Sequence, residues 1–234
     1  MFMPDQPSRR THSAESARQA ILAAAEDHFA RFGFSGARIE AIAESAGYNK
    51  SLIFHYFTDK LGLYQAVVEC AKRNQDSFDG QTFLALAHDE ERPLTPTLVR
   101  QFIEAAVRFS FDLMLKKPNL RRILLWEAAE GWQAYGQTHH LPANVTAQQS
   151  AGVRFIQRAQ AAGIVRAELD PRLLVTFVMG LTLIHLSSLP RYAMIFPDQD
   201  FHSEAALAHV REQLVEIVVQ GTMLPFVEDD THAV

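Results

Sequence analysis

The sequence predicts an all-α protein, with a short helix-turn-helix segment near the front and a larger helical domain behind it. Three observations lead there. Apolar residues recur every three or four positions along the long segments, the spacing of one helix face. No segment alternates apolar and polar residues convincingly enough to make a strand. Gly, Pro and small polar residues stand where such helices would stop and start. The 234 residues are 48% hydrophobic, a globular composition with room for one small domain and one larger one. Nine or ten helices are expected, with no internal repeat.

Residues 1–13 (MFMPDQPSRRTHS) read as a flexible polar arm, whose Arg9 and Arg10 could reach a nucleic acid. Residues 18–32 form the first helix, with Ile21, Ala25, Phe29 and Phe32 on one stripe and Gly33 as its stop. In ARIEAIAESA, Ile39, Ile42, Ala43 and Ala46 share a face, and Gly47 follows where a helix end wants a residue tolerant of positive φ. Asn49 is placed to cap the next helix, NKSLIFHYF. There Ile53 and Phe57, four apart, point inward, while Lys50, Ser51, Leu52 and His55 look outward.

Short helix, Gly-containing turn, short helix is the helix-turn-helix pattern, and the second helix of such a pair fits the major groove of B-DNA. Asn49, Lys50, Ser51 and His55 could meet base edges or phosphates, and Leu52 a thymine methyl. The same residues also suit an ordinary helical hairpin with a solvated face.

The wider run resembles the N-terminal domain of the TetR/AcrR family of one-component transcriptional regulators. The resemblance rests on the "AA…F…G" first helix, the "IAESAG" positioning helix, the "NKSLIFHYF" recognition helix, and Lys60 three residues past Phe57. It covers roughly residues 18–68. It implies a three-helix DNA-binding domain, a helical ligand domain behind it, and a homodimer on a palindromic operator in double-stranded DNA. Lys50, Ser51 and Leu52 then sit where the family reads bases, and His55, Tyr56 and Lys60 where it grips phosphates. Lys60 also opens the next helix, whose N–H groups could help hold a phosphate. Two positions depart from the pattern. Ala37 stands where the family usually has Thr or Ser, so a cap and a phosphate contact are lost unless Ser35 or Arg38 replaces them. Phe54 stands where Tyr is frequent.

Behind this segment, Thr58 or Asp59 starts a helix to about residue 78, with Leu63, Val67, Cys70 and Ala71 inward. Residues 79–96 look like a linker with a short helical turn at 82–87, given Gly80, the acidic run 89–91, Pro93 and Pro96. Residues 97–117 carry two adjoining apolar stripes and are expected to be buried or to line a cavity. Pro118 opens a helix ending near Gly131; residues 132–142 read as a loop, and 146–162 as a helix stopped by Gly163. Asp170-Pro171 starts another to about Leu189, residues 190–200 read as a loop, and Ser203 caps a last helix to about Gly221. The expected domains are therefore 1–13 (arm), 14–60 (DNA-binding) and 61–234 (effector-binding and dimerisation).

Residues 173–190 carry no formal charge, and at about 18 residues reach the lower limit of a bilayer span. Their Thr, His and Ser content favours a helix buried on several sides of a soluble bundle, so no membrane partner is expected. The helices 171–189 and 203–221 are more apolar than one bundle needs, and pairing them between two chains would make a four-helix dimer interface.

The net charge is −5. Residues 1–60 hold seven Lys/Arg and seven Asp/Glu, so the acidity lies behind them, and the front offers only modest non-specific attraction to DNA. One cysteine, Cys70, permits no disulfide within the chain, and residues 1–17 show no secretory signal; both suit a cytoplasmic protein. Cys70 reads as a small buried residue, with a redox role as the other reading. His139 and His140, with no patterned Cys or carboxylate nearby, make a weak metal set, so neither metal nor cofactor is expected. No G-x-S-x-G, G-x-x-x-x-G-K or C-x-x-C occurs, and nothing supports an enzyme.

Phe102, Phe109, Trp126 and Trp132 are candidate walls of an effector pocket, with Arg122, Glu127 and His185 as its orienting polar groups. The expected function is a DNA-binding repressor released from its operator by a small molecule. The alternative is a small-molecule binding protein with a weak or vestigial DNA-binding domain.

Overall fold

The computed structural model describes residues 9–73, 78–89, 92–137 and 143–225. Among them are eleven α-helices and no strand, only an isolated antiparallel bridge between Val165 and Met223. The helices are α1 (Arg9–Gly36), α2 (Ile39–Ala46), α3 (Lys50–Phe57), α4 (Lys60–Arg73), α5 (Phe78–His88), α6 (Pro96–Lys116), α7 (Pro118–Ala129), α8 (Gln133–Gln137), α9 (Ala143–Ala161), α10 (Pro171–Ile195) and α11 (Glu204–Thr222). They fall into two compact units, one within Met1–Asn74 and Lys117–Leu141, the other within Gln75–Lys116 and Pro142–Val234.

The first unit packs α1 to α4 with α7 and α8. Ile21, Ala25 and Phe29 of α1, Ile39 and Ile42 of α2, Ile53 and Phe57 of α3, and Leu63, Tyr64 and Val67 of α4 form one buried core. Ile123 of α7 and Ala134 of α8 join it. The front unit therefore recruits a segment from about 60 residues further on, which the expected division at residue 60 did not include. Helix α1 also begins earlier than expected, at Arg9, and takes up part of the supposed arm. The run from Ser13 to Ala20 is free of Gly and Pro and rich in Ala, Glu, Arg and Gln, good helix formers. At its other end the helix breaks at Gly33, whose φ of 68° and ψ of 179° turn the chain towards α2.

The second unit packs α5, α6, α9, α10 and α11 around Phe102, Ile103, Val107, Phe155, Ile156, Val215 and Val219. Helix α5 replaces most of the expected linker. Phe83, Leu86 and Ala87 supply a short apolar face, and the Phe83 ring lies 5.1 Å from Phe102 and 6.2 Å from Phe109. On the solvent side an ion-pair ladder joins α6 to α11: Arg100 to Glu216 at 3.0 Å, Arg108 to Glu212 at 2.8 Å, and Asp112 to Arg211 at 3.1 Å.

Helix α10 runs through Pro190 to Ile195, where a loop was expected. Proline's fixed φ suits a helix; its cost is one lost hydrogen bond and crowding of the preceding turn. Packing holds the extension, with the Tyr192 ring 5.7 Å from His185 and 6.0 Å from Phe201. The helix is long and apolar enough to cross a membrane by length and composition alone, with a mean hydropathy of 1.8. It is not buried on several sides: Thr182, Leu183, Leu186 and Leu189 face inward, while Leu173, Phe177, Leu181 and Ile184 are exposed. On α11, Ile217 is likewise open, at 63% exposure.

Candidate nucleic-acid interface

Helices α2 and α3 meet through a three-residue turn. Gly47, at φ 75°, closes α2 in the left-handed region; its N–H donates to Glu44 O at 3.1 Å, and the Tyr48 N–H to Ala43 O at 3.0 Å. A Cβ there would meet nothing within 4 Å, so the dihedral angle, not space, calls for glycine. The Asn49 side chain then accepts from Leu52 N at 2.9 Å and caps α3. Ile53 and Phe57 are buried in the core, which fixes the rotation of α3 and leaves Asn49, Lys50, Ser51, Phe54 and His55 exposed.

The remaining DNA-contact candidates are placed less freely. Leu52 is half-buried and leans on the core, not outward. Tyr56 is half-buried, and its hydroxyl donates to Ala14 O of α1 at 3.2 Å. Lys60 is half-buried too: its Nζ donates to Ser35 O at 3.3 Å and lies 4.7 Å over the Phe34 ring. Burial pushes the Lys60 ammonium below its ordinary pKa, against a smaller opposing pull from Glu130. The start of α4 is capped by its own Asp59, whose Oδ1 accepts from Gly62 N at 2.7 Å, so a phosphate there would compete with a carboxylate.

Arg38 occupies the N-cap position of α2 and is exposed, but its side chain makes no capping hydrogen bond. Ser35 does not replace the missing cap either; its Oγ donates at 3.1 Å to Oε2 of Glu130, the residue that follows α7. Ala37 is buried in the core at 3% exposure. His28 of α1 and Ser45 of α2 meet at 2.8 Å and tie the positioning helix down.

Two residues of the surface escaped the sequence reading. Tyr48 in the turn is 37% exposed. Glu40 of α2 holds Lys50 at 2.5 Å, and the Lys50 ammonium also lies 5.5 Å from the Phe54 ring centroid. Ten residues and a turn separate Glu40 from Lys50, so no rule of helical spacing could have paired them.

Comparison with known proteins decides the lineage. Residues 21–67 match the family described as bacterial regulatory proteins of the tetR family, and residues 100–218 match the tetracyclin repressor-like C-terminal domain. The chain belongs to the TetR family. Its front segment matches that family's regulatory-protein domain. The regulator RutR of Escherichia coli is 45% identical over 60 residues, which cover 26% of this chain and only 28% of RutR. The repressor SCO4008 of Streptomyces coelicolor is 31% identical over 153 residues, 64% of this chain and 68% of SCO4008. The fold matches a TetR family transcription regulator from Marinobacter aquaeolei with a TM-score of 0.61 at 17% identity, over 92% of this chain and all of the other.

In this TetR-family chain the effector candidates do not fall in one unit. Phe102, Phe109 and His185 belong to the second, and Arg122, Trp126, Glu127 and Trp132 to the first. Phe102 is sealed in the core, its ring 3.9 Å from Phe155. Phe109 is half-buried beside Phe83. His185 is half-buried; its Nε2 is enclosed without a hydrogen-bond partner, and burial holds its pKa below the ordinary histidine value.

Arg122 and Trp126 line an open cleft of about 470 Å³ between α1 and α7, with Ala30, Arg31 and Leu125. Trp132 is 44% exposed. Glu127 faces no cleft: it is 2% exposed, accepting from Tyr64 Oη at 2.6 Å and from Tyr135 N at 3.2 Å. Among the described residues no group of three His, Cys, Asp or Glu is placed to hold a metal, and His139 and His140 lie outside those residues. Cys70 is half-buried on α4.

Proposed function

We propose that this regulator is a cytoplasmic repressor that binds a two-fold-symmetric operator as a homodimer and is released by a small-molecule effector. The observation that carries the DNA half is α3 itself. It is capped by Asn49, pinned by Ile53 and Phe57, and presents Lys50, Ser51 and His55 to solvent on a rigid support. A helix held this way is shaped for a major groove, where polar side chains can read base edges.

The homodimer is supported by the uncovered apolar stripe of α10. Leu173, Phe177, Leu181 and Ile184 fall one turn apart, and Ile217 adds a further open apolar residue on α11. Packing that stripe against its two-fold copy would bury it and bring two α3 helices into one assembly. The name of SCO4008 as a repressor supports the sign of regulation.

Effector release follows if the small molecule favours a dimer geometry that DNA does not, since the two ligands then oppose each other through linkage. Within the first unit Arg122, Trp126 and Trp132 keep exposed surface for such a ligand, while Phe102 and Glu127 are taken by the cores.

A mobility-shift assay on the DNA upstream of the protein's own gene, with sedimentation run alongside, tests the proposal. A retarded band from a dimer, dispersed by one class of metabolite, is the expected result. A stable monomer at micromolar concentration, or no shift on any duplex, would overturn it. A metabolite bound without any shift would favour the reading of a binding protein with a vestigial DNA-binding domain.

A further inference from the structure

Helix α3 carries one fixed positive charge, Lys50, and that charge is already answered. Its Nζ donates to Glu40 Oε1 at 2.5 Å, while the Phe54 ring lies behind it at 5.5 Å. The ammonium is thus held between a carboxylate on α2 and an aromatic face on its own helix. Both partners are surface groups, with side-chain exposures of 50% for Lys50 and 66% for Glu40, so the pair adds little to folding. Glu40 also lies in the first turn of α2, where an acid suits the helix dipole, but that role would be met at any exposed first-turn position.

We propose that Glu40 sets sequence specificity by acting as the standing counter-ion of Lys50. While the pair is closed, Lys50 and Glu40 together present no net charge to the phosphate backbone. Backbone attraction, which is blind to sequence, is thereby weakened at the one helix that enters the groove. Lys50 leaves Glu40 where the geometry of the groove offers more than one acceptor at once. The O6 and N7 edge of a guanine does so, two neutral acceptors in place of one carboxylate oxygen. At a wrong base the ammonium stays on Glu40, and the carboxylate faces the DNA uncompensated, which costs affinity there. Lys50 holds the Glu40 carboxyl below its ordinary pKa, so Glu40 keeps its charge through the neutral range. The equal numbers of acidic and basic residues in the first 60 positions fit the same design.

The inference rests on the DNA-binding reading, and its test separates the two. Fluorescence anisotropy is measured on two labelled duplexes, an operator selected from a random pool and a shuffled duplex of equal length and composition, from 50 to 200 mM salt. Wild type, Glu40→Gln, Lys50→Met, the double variant, and Glu44→Gln as an exposed control on the same helix are compared, each checked by its melting temperature.

Glu40→Gln should tighten binding to the shuffled duplex by about 3- to 10-fold and steepen its salt slope by about one, as one more free lysine meets phosphate. It should tighten the operator complex by less, so discrimination falls. In the Lys50→Met background the same substitution should do nothing beyond the small effect of Glu44→Gln. Equal tightening on both duplexes, an equal effect of Glu44→Gln, or an unchanged effect without Lys50 would each overturn the proposal. Wild type that discriminates no duplex would instead refute the DNA-binding reading itself.

Discussion

The Tyr64 hydroxyl donates to Glu127 Oε1 at 2.6 Å, joining α4 to α7 inside the core of the first unit. Tyr64 is 1% exposed, its ring edge-on to Phe29 at 5.1 Å and to Phe34 at 5.2 Å. Burial first, and the bond to Glu127 second, push its phenol well above the ordinary range, so it remains a donor at any working pH. Tyr64→Phe would leave a buried carboxylate one donor short, at a cost of about 1–3 kcal/mol. Urea unfolding should show a lower midpoint with an unchanged slope. An unchanged midpoint would mean the carboxylate finds another donor.

The break in α1 at Gly33 makes a second demand on the α7 end of the first unit. Gly33 has φ 68°, and a Cβ there would lie 2.9 Å from Glu130 Oε1 and 3.1 Å from the Trp126 ring. Gly33→Ala therefore meets both an unfavourable backbone region and a close approach, and should cost about 1–3 kcal/mol. Calorimetry on the purified variant measures it.

The cap of α3 gives a milder prediction. Asn49→Ala removes the acceptor for Leu52 N and should cost about 1 kcal/mol, whereas Asn49→Asp keeps it. If Asn49 also touches DNA, the alanine variant should lose more affinity for the operator than its stability loss accounts for. Anisotropy at a temperature where both variants are folded makes that comparison.

Most of this front unit could be read from the chain. The stripe Ile39, Ile42, Ala43, the stop at Gly47, the cap at Asn49 and the inward pair Ile53 and Phe57 are local signals, each set by residues three or four apart, and all appear in the structure. What stayed hidden was non-local. The apolar face of α7 is legible, but nothing in its spacing says that Ile123 will meet the first-unit core, or that Glu127 will serve Tyr64. Glu127 looked like a ligand-orienting group because an aromatic-lined pocket needs a few polar groups; its partner lay 63 residues earlier. Leu52, Tyr56 and Lys60 looked free because sequence shows which way a side chain starts, not what it leans on. Pro190 was read as a stop, and the packing of Tyr192 onto His185 and Phe201 overrides it.

The two lysines proposed to meet DNA should behave differently. Lys50→Ala should change which bases are preferred, since Lys50 stands on the exposed face of α3. Lys60→Ala should weaken all duplexes about equally and flatten the salt slope. Because Lys60 also bonds Ser35 O and covers Phe34, it should lower the melting temperature as well. Losses of equal size on every sequence from both variants would refute the division.

Acid should weaken the ladder between α6 and α11. Arg108, hydrogen-bonded to Glu212, holds that carboxyl below its ordinary value of 4.5. A depressed carboxyl pKa contributes stability that is fully present above 4.5 and is lost as pH falls through the lower folded value. The melting temperature should therefore drop below about pH 4.5, and the drop should be shallower in Glu212→Gln. At neutral pH that variant should cost no more than about 1 kcal/mol, because the pair is partly solvated.

The central claim is that α3 reads duplex DNA. Selection of bound duplexes from a random pool, run in parallel with wild type and with Ser51→Asn, tests it most directly. Ser51 is exposed on α3 and has no role in the core, so the variant folds as wild type does. The account predicts a two-fold-symmetric sequence for wild type, and for the variant a changed base at one matching position in each half. No enriched sequence, or an enriched sequence untouched by the substitution, would contradict it.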